Sequence, residues 1–130
     1  MLRTKSVESP IGPDDGLRIL ATRFRGRGLS TDRYDVWMAN LGPSEELLRS
    51  FLEERITWAE FGRRYRRELF AGGPVDEASK TIKNHGQKFT LRLIKHLADE
   101  GDVTLLCHCP EERQQCHRHL LQKVILSKRI

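Results

Sequence analysis

The sequence has no long hydrophobic run, so nothing in it matches a membrane-spanning helix of roughly 20 apolar residues. Met1 to Ser9 carries basic residues with no apolar stretch behind them, which leaves no pattern for a secretory signal and makes the cytoplasm the expected compartment. Cysteine is absent before Cys107. Three cysteines, Cys107, Cys109 and Cys116, then crowd into one short stretch, an odd number that excludes a disulfide-stapled scaffold. Lysine is scarce, with 7 against 16 arginines. Internal repeats and low-complexity tracts are missing too.

What remains is the composition of one globular domain. The chain of 130 residues, 38% apolar and 32% charged, is long enough for one core and too short for two, so residues 1–130 read as a single domain. Its net charge of +5 is carried mainly by arginine, which favours planar, bidentate recognition of phosphate or carboxylate and points to an anionic partner.

Along the chain, Leu2 to Val7 and Leu17 to Arg23 have strand character, separated by the turn-like Gly12-Pro-Asp-Asp-Gly16. Phe24 to Ser30 follows with two glycines and two arginines, a loop of unusual backbone needs. Asp35 to Leu41 reads as a short helical turn ended by Gly42-Pro43. Ser44 caps a helix bearing Leu47, Leu48, Phe51 and Leu52 on one face. Thr57-x-x-Glu60 is a capping box, opening a helix with Trp58, Phe61, Tyr65 and Leu69 on one side and Arg63, Arg64, Arg66 and Arg67 on the other; Gly72-Gly-Pro74 stops it. Asp76 to Glu100 is helical in pattern with a break at Asn84-His-Gly86, after which Phe89, Leu93, Ile94 and Leu97 are expected inward. Val103 to Cys109 is the clearest strand, apolar enough to be central and parallel. A last helix carries Leu120, Leu121, Val124 and Ile125. The fold expected is three-layer α/β, a short and largely parallel sheet flanked by helices, with a helical insertion between its strands.

Chemistry concentrates in Cys107-His-Cys-Pro-Glu-Glu-Arg-Gln-Gln-Cys-His-Arg118, which runs from the carboxyl end of a buried strand into a helix, the place where open α/β sheets hold ligands. With the helix starting near Gln115, Cys116 falls in its first turn, where the dipole and Arg118 favour a thiolate. With the start at Pro110, Cys116 joins Leu120 and Val124 in a buried stripe and is simply core. Metal binding by the Cys107 to His119 cluster, including His108 and His117, is a further alternative. On a regular strand, however, Cys107 and Cys109 stand roughly 6.6 Å apart, whereas two thiolates on one zinc lie within about 4 Å. They can share an ion only if the strand breaks between them, and no metal ligand is assigned. A phosphatase loop is unsupported, because Arg113 comes too soon and Arg118 too late. His85 and His96 have no partner in sequence. Adjacent helix positions diverge, so at most one of His117 and His119 enters the Cys116 cleft, and His117 is preferred.

The order of motifs resembles the YeaO-like branch of domain of unknown function 488. The resemblance rests on Asp15-Gly16, Arg23, Arg27-Gly28-Leu29, Asp35-x-Trp37, Pro43-Ser44-x-Glu46, Phe61 with Tyr65, Glu68-Leu69, the apolar strand and Cys116-His117-Arg118. It implies a compact α/β domain of bacteria or archaea with no established activity. Two departures stand out: Arg25-Gly26 replaces a usual aromatic-proline pair, and Cys109 replaces a frequent glutamate, with Glu111 and Glu112 as substitutes for its role.

The leading expectation is a protein that binds a phosphate-bearing or other anionic small molecule in a cleft lined by Arg23, Arg27 and Arg118. If the cleft performs chemistry, Cys116 is the nucleophile or redox group and His117 its partner. No cofactor is named. The alternative is a nucleic-acid module using Arg63 to Arg67, weighed against a solvated helix face opposed by Glu60 and Glu68.

Overall fold

A computed structural model describes residues 1–71 and 87–130. Among these, four strands form one parallel sheet: β1 (Leu2–Ser6), β2 (Leu17–Leu20), β3 (Val36–Trp37) and β4 (Val103–Cys107), in the order β1-β4-β2-β3. The helices are α1 (Glu45–Leu52), α2 (Trp58–Leu69), α3 (Gln87–Glu100) and α4 (His117–Leu126). The Gly72-Gly-Pro74 stop, the Asn84-His-Gly86 break and His85 lie outside the described residues.

Strand β4 is buried along its whole length between β1 and β2, which explains why its sequence shows no polar alternation. Register fixes the two faces. Leu2, Ile19, Val103 and Leu105 share the main core with Leu47, Phe61, Tyr65, Leu69, Leu91, Ile94 and Leu121 from the helices. Leu20 and Leu106 point the opposite way, where Val7, Leu29 and Tyr34 cover them. Among the described residues, α1–α4 therefore gather on one face of the sheet rather than flanking both, while the other face is covered by loop chain near the 3-10 turn Thr31–Arg33. The two principal strands are shorter than the sequence pattern implies: β2 stops at Leu20 and β4 at Cys107.

That second face also holds a buried polar knot. Asp15 is ion-paired with Arg18, and its other oxygen is 2.7 Å from Lys5 Nζ. Thr104 Oγ1 donates to the Asp15 carbonyl at 2.7 Å. Gly16 is required beside it: φ is +61°, and an added Cβ would lie 1.9 Å from the Asp102 carbonyl oxygen.

The caps form as the sequence implies, with Ser44 Oγ accepting from Leu47 N–H and Thr57 Oγ1 from Glu60 N–H. Two local expectations are corrected. Asp35 to Leu41 is not one helical turn but β3 followed by a 3-10 turn at Ala39–Leu41, because Val36 and Trp37 pair with Ile19 and Leu20. In α3 the buried residues are Gln87, Leu91, Ile94 and Ala98, whereas Phe89, Leu93 and Leu97 are exposed. The helix carries two apolar stripes, and the one containing Ile94 packs inward.

Burial pushes the Asp15 carboxyl up, but hydrogen bonds from Lys5, Gly12 and Arg18 overcome this and hold it below the usual carboxylate value. The ionised form therefore stabilises the fold above the unfolded value of about 3.9, and that contribution is lost as pH falls through the lower folded value. Asp15→Asn is expected to cost about 3 kcal/mol at neutral pH. In urea unfolding at pH 7 and pH 3, its deficit relative to the parent should shrink at the acid end.

Candidate functional site

Strand β4 ends at Cys107, and the chain bends through His108 and Cys109 before reaching α4, whose N-cap is Cys116. This break removes the straight-strand separation of Cys107 and Cys109. The three sulfurs converge, all within 4.8 Å of one another, with Cys107 Sγ 3.1 Å from Cys116 Sγ. Cys107 and Cys116 are buried, and Cys109 is partly exposed.

Arg118 holds this convergence in place. Its side chain is fully buried. One terminal nitrogen donates to Cys107 Sγ at 2.7 Å and to the Cys109 carbonyl at 3.4 Å; the other donates to the carbonyls of Pro110 at 3.3 Å and Glu111 at 2.8 Å. One guanidinium thus ties the end of β4 to the turn that carries Cys109. Glu111 adds a second tie by accepting from Ser6 N–H at 3.1 Å and Ser9 Oγ at 2.6 Å. Burial raises its carboxyl, but these bonds and Arg118 bring it below the usual value. It is a strut for the loop.

Electrostatically the thiols behave as one unit. The Cys109 thiol is driven down by hydrogen bonds from Cys107 and Cys116, with Arg113 adding to the effect. Cys107 is pushed up, first by its bond to Cys109, and Cys116 by its bond to Cys107. The first proton leaves easily and the resulting charge is shared, while the later protons are held back.

His117 is buried with Nε2 2.5 Å from the Ala21 carbonyl, which fixes Nε2 as the protonated nitrogen and leaves Nδ1 as an acceptor 3.9 Å from Cys116 Sγ. Burial keeps this imidazole below its ordinary pKa and thus neutral. Tyr65 stands edge-on to it at 5.8 Å and donates to the Leu41 carbonyl. His119 turns away to the Arg113 carbonyl, so one histidine of the pair faces the thiols.

The structure thus brings Cys116, His117 and Arg118 together. Arg23 borders the same region, buried, with donors on the carbonyls of Gly42 at 3.2 Å and Pro43 at 3.4 Å. A cavity of about 110 Å³ lies between Arg23, Phe24, Pro43, His108, Cys109 and His117, and Cys109 is the only cysteine lining it. Arg27 stands elsewhere. It lines a larger cavity of about 410 Å³ at the carboxyl ends of β1 and β4, together with Val7, Glu8, Gly26, Gly28, Ser30, Arg33 and His108. His108 borders both spaces, with Nε2 3.1 Å from the Phe24 carbonyl. Sequence reasoning gave Arg33 and Glu8 no role. The position of Glu8 just beyond a strand end was the available signal; Arg33 had none, because its place depends on bonds to the Val7 and Ser9 carbonyls.

The alternative basic surface on α2 is exposed, with Arg63 and Arg64 both paired to Glu60.

The family described as the active DUF488-N3 subclade matches residues 2–129. The chain belongs to the YeaO-like DUF488 family. The uncharacterized protein YeaO of Escherichia coli is 37% identical over 95 residues, covering 72% of this chain and 80% of that protein. The uncharacterized protein Rv3073c of Mycobacterium tuberculosis is 32% identical over 81 residues, covering 61% of this chain and 69% of its own length. No solved structure matches. The residues that carried the resemblance in the sequence are chiefly architectural. Asp35 accepts from Arg18 N–H at 2.8 Å, Trp37 Nε1 donates to the Thr22 carbonyl at 2.8 Å, and Glu68 accepts from Ser44 N–H and Oγ. Arg25 shapes the loop after β2, donating to Tyr34 Oη and the Leu29 carbonyl at 2.5 Å each.

Replacing Arg118 by Met is expected to cost about 3 kcal/mol or more, since it strips a sulfur and three carbonyls of their buried donor. Arg118→Lys should recover only part of this, because an ammonium cannot span both sets of acceptors. Urea unfolding measures both. Alkylation of the native parent, read cysteine by cysteine, should modify Cys109 first and leave Cys107 and Cys116 protected until unfolding.

Proposed function

We propose that this protein binds a small molecule bearing a phosphate or other anionic group at the carboxyl ends of the sheet, in the larger cavity lined by Arg27. The observation that carries this reading is the cavity itself. About 410 Å³ of space opens where parallel sheets hold ligands, with two arginines and two glycines on its wall. Gly26 and Gly28 both have positive φ, at 93° and 80°, so this backbone lies in the region that favours glycine and can approach a ligand without a side chain between.

The arginines divide the work. Arg33 spends donors on the Val7 and Ser9 carbonyls and so joins the β1 end to the cavity wall. Arg27 is exposed and supplies the charge a ligand would meet. Glu8 lines the same space and repels a bare anion, so the ligand that fits carries hydrogen-bond donors as well as its anionic group. A phosphate monoester with free hydroxyls has this character. Arg23 and Arg118 act behind the site, holding the Pro43 segment and the Cys109 turn. Cys109 stands in the adjoining smaller cavity, past His108, and is the thiol a bound molecule could reach if the site performs chemistry.

Titration with glycerol phosphate, and with inorganic phosphate as the simpler probe, followed by backbone amide shifts, tests the reading. Shifts should fall on residues 26–30 and His108, be stronger for the ester, and weaken with salt. Arg27→Ala should reduce affinity about tenfold or more without changing stability, since loss of one charge-assisted contact is worth roughly 1.5–3 kcal/mol. Shifts confined to α2, or an unchanged affinity in Arg27→Ala, would exclude it.

A further inference from the structure

The larger cavity makes no use of the three sulfurs behind it. Cys107, Cys109 and Cys116 come from a strand end, a bend and a helix N-cap, and their sulfurs all lie within 4.8 Å of one another. We propose that Cys107, Cys109 and Cys116 form a zinc site, with its fourth position beside His117.

Spacing supports this. Sulfurs bound to one zinc at about 2.3 Å stand roughly 3.8 Å apart, and a sulfur and an imidazole nitrogen roughly 3.6 Å. The observed 3.1 Å between Cys107 and Cys116 sulfurs needs a modest opening, and the 3.9 Å from Cys116 Sγ to His117 Nδ1 a smaller closing.

The second support is the histidine. Metal-binding imidazoles commonly donate their other N–H to a carbonyl or carboxylate, which fixes the tautomer and aims the lone pair. His117 does this through Nε2 and the Ala21 carbonyl, leaving Nδ1 on the sulfur side. Tyr65 packs edge-on against the ring and restricts its tilt.

Charge is the third support and favours a divalent ion. Three thiolates and Zn²⁺ sum to −1, which the buried guanidinium of Arg118, 2.7 Å from Cys107 Sγ, offsets, while the half-exposed Glu111 carboxylate 3.6 Å from its far side stays in reach of solvent. A monovalent soft ion would leave one more negative charge in a largely buried site, at a high desolvation cost. Neutral histidine adds no charge. On binding, thiol protons leave to solvent, sulfur–zinc bonds form, and no atom changes oxidation state.

The test uses the full chain, reduced and stripped of metal. One equivalent of cobalt(II) should give sulfur-to-metal charge-transfer absorption with the visible bands of a tetrahedral site, and one equivalent of zinc should abolish both. Cys109→Ser changes a partly exposed residue and should keep the far-UV spectrum while weakening zinc binding at least 100-fold, beyond the roughly 10–100-fold expected from losing a supporting contact. Arg27→Ala should leave zinc affinity unchanged, which separates this proposal from anion binding. Absence of charge transfer at one equivalent would overturn the site. So would zinc affinity unaltered in Cys109→Ser, or ready oxidation to a Cys107–Cys116 disulfide in the presence of zinc.

Discussion

A guanidinium sealed from water needs acceptors, and Arg118 places this demand at the junction of β4, the Cys109 turn and α4, where both terminal nitrogens find partners and Nε finds none. Its acceptors are one sulfur and three carbonyls, and each belongs to a segment whose path the arginine thereby fixes. An uncompensated buried charge costs far more than a lost surface contact, so these segments cannot rearrange independently. The convergence of the thiols follows from that restraint. Cys107 is held by a direct bond to the guanidinium, Cys109 by its own carbonyl, and Cys116 by its place two residues before Arg118.

The sheet supplies the other half of the arrangement. Parallel strands send all their following loops to one end, so the loops after β1, β2 and β4 meet there. Two adjoining spaces result. One is broad and polar, bounded by Gly26, Arg27 and Arg33; the other is narrow and ends at Cys109 and His117. His108 stands between them, fixed to the Phe24 carbonyl, so its single backbone position couples the thiol turn to the glycine loop. An added Cβ at Gly26 would lie 2.7 Å from the His108 ring, which shows how closely the two loops approach.

Much of the fold was legible in the sequence because its signals were local. The apolar run of β4 announced a buried strand, Ser44 and Thr57 announced helix starts, and Asp15-Gly16 announced a turn that the structure builds around Lys5 and Arg18. What was not legible depended on partners distant in the chain. Val36 and Trp37 pair with β2 and form a strand despite their helical look, and nothing local distinguishes the buried stripe of α3 from its exposed one. The same holds at the site. Cys116-His117-Arg118 was visible as a motif, yet the role of Arg118 as an internal tie rather than a ligand contact depends on carbonyls whose positions only the fold sets. The separation of Cys107 and Cys109 turned on where β4 stops, two residues earlier than its apolar pattern implies.

The central claim is that Arg118 and the three cysteines form one electrostatic unit. Thiolate absorbance followed across a pH series in the folded, reduced, metal-free protein tests it directly. The account predicts that one thiolate per chain forms well below the ordinary thiol value of about 8.5, with the remaining two delayed well above it. Three thiols titrating together near that ordinary value would contradict it.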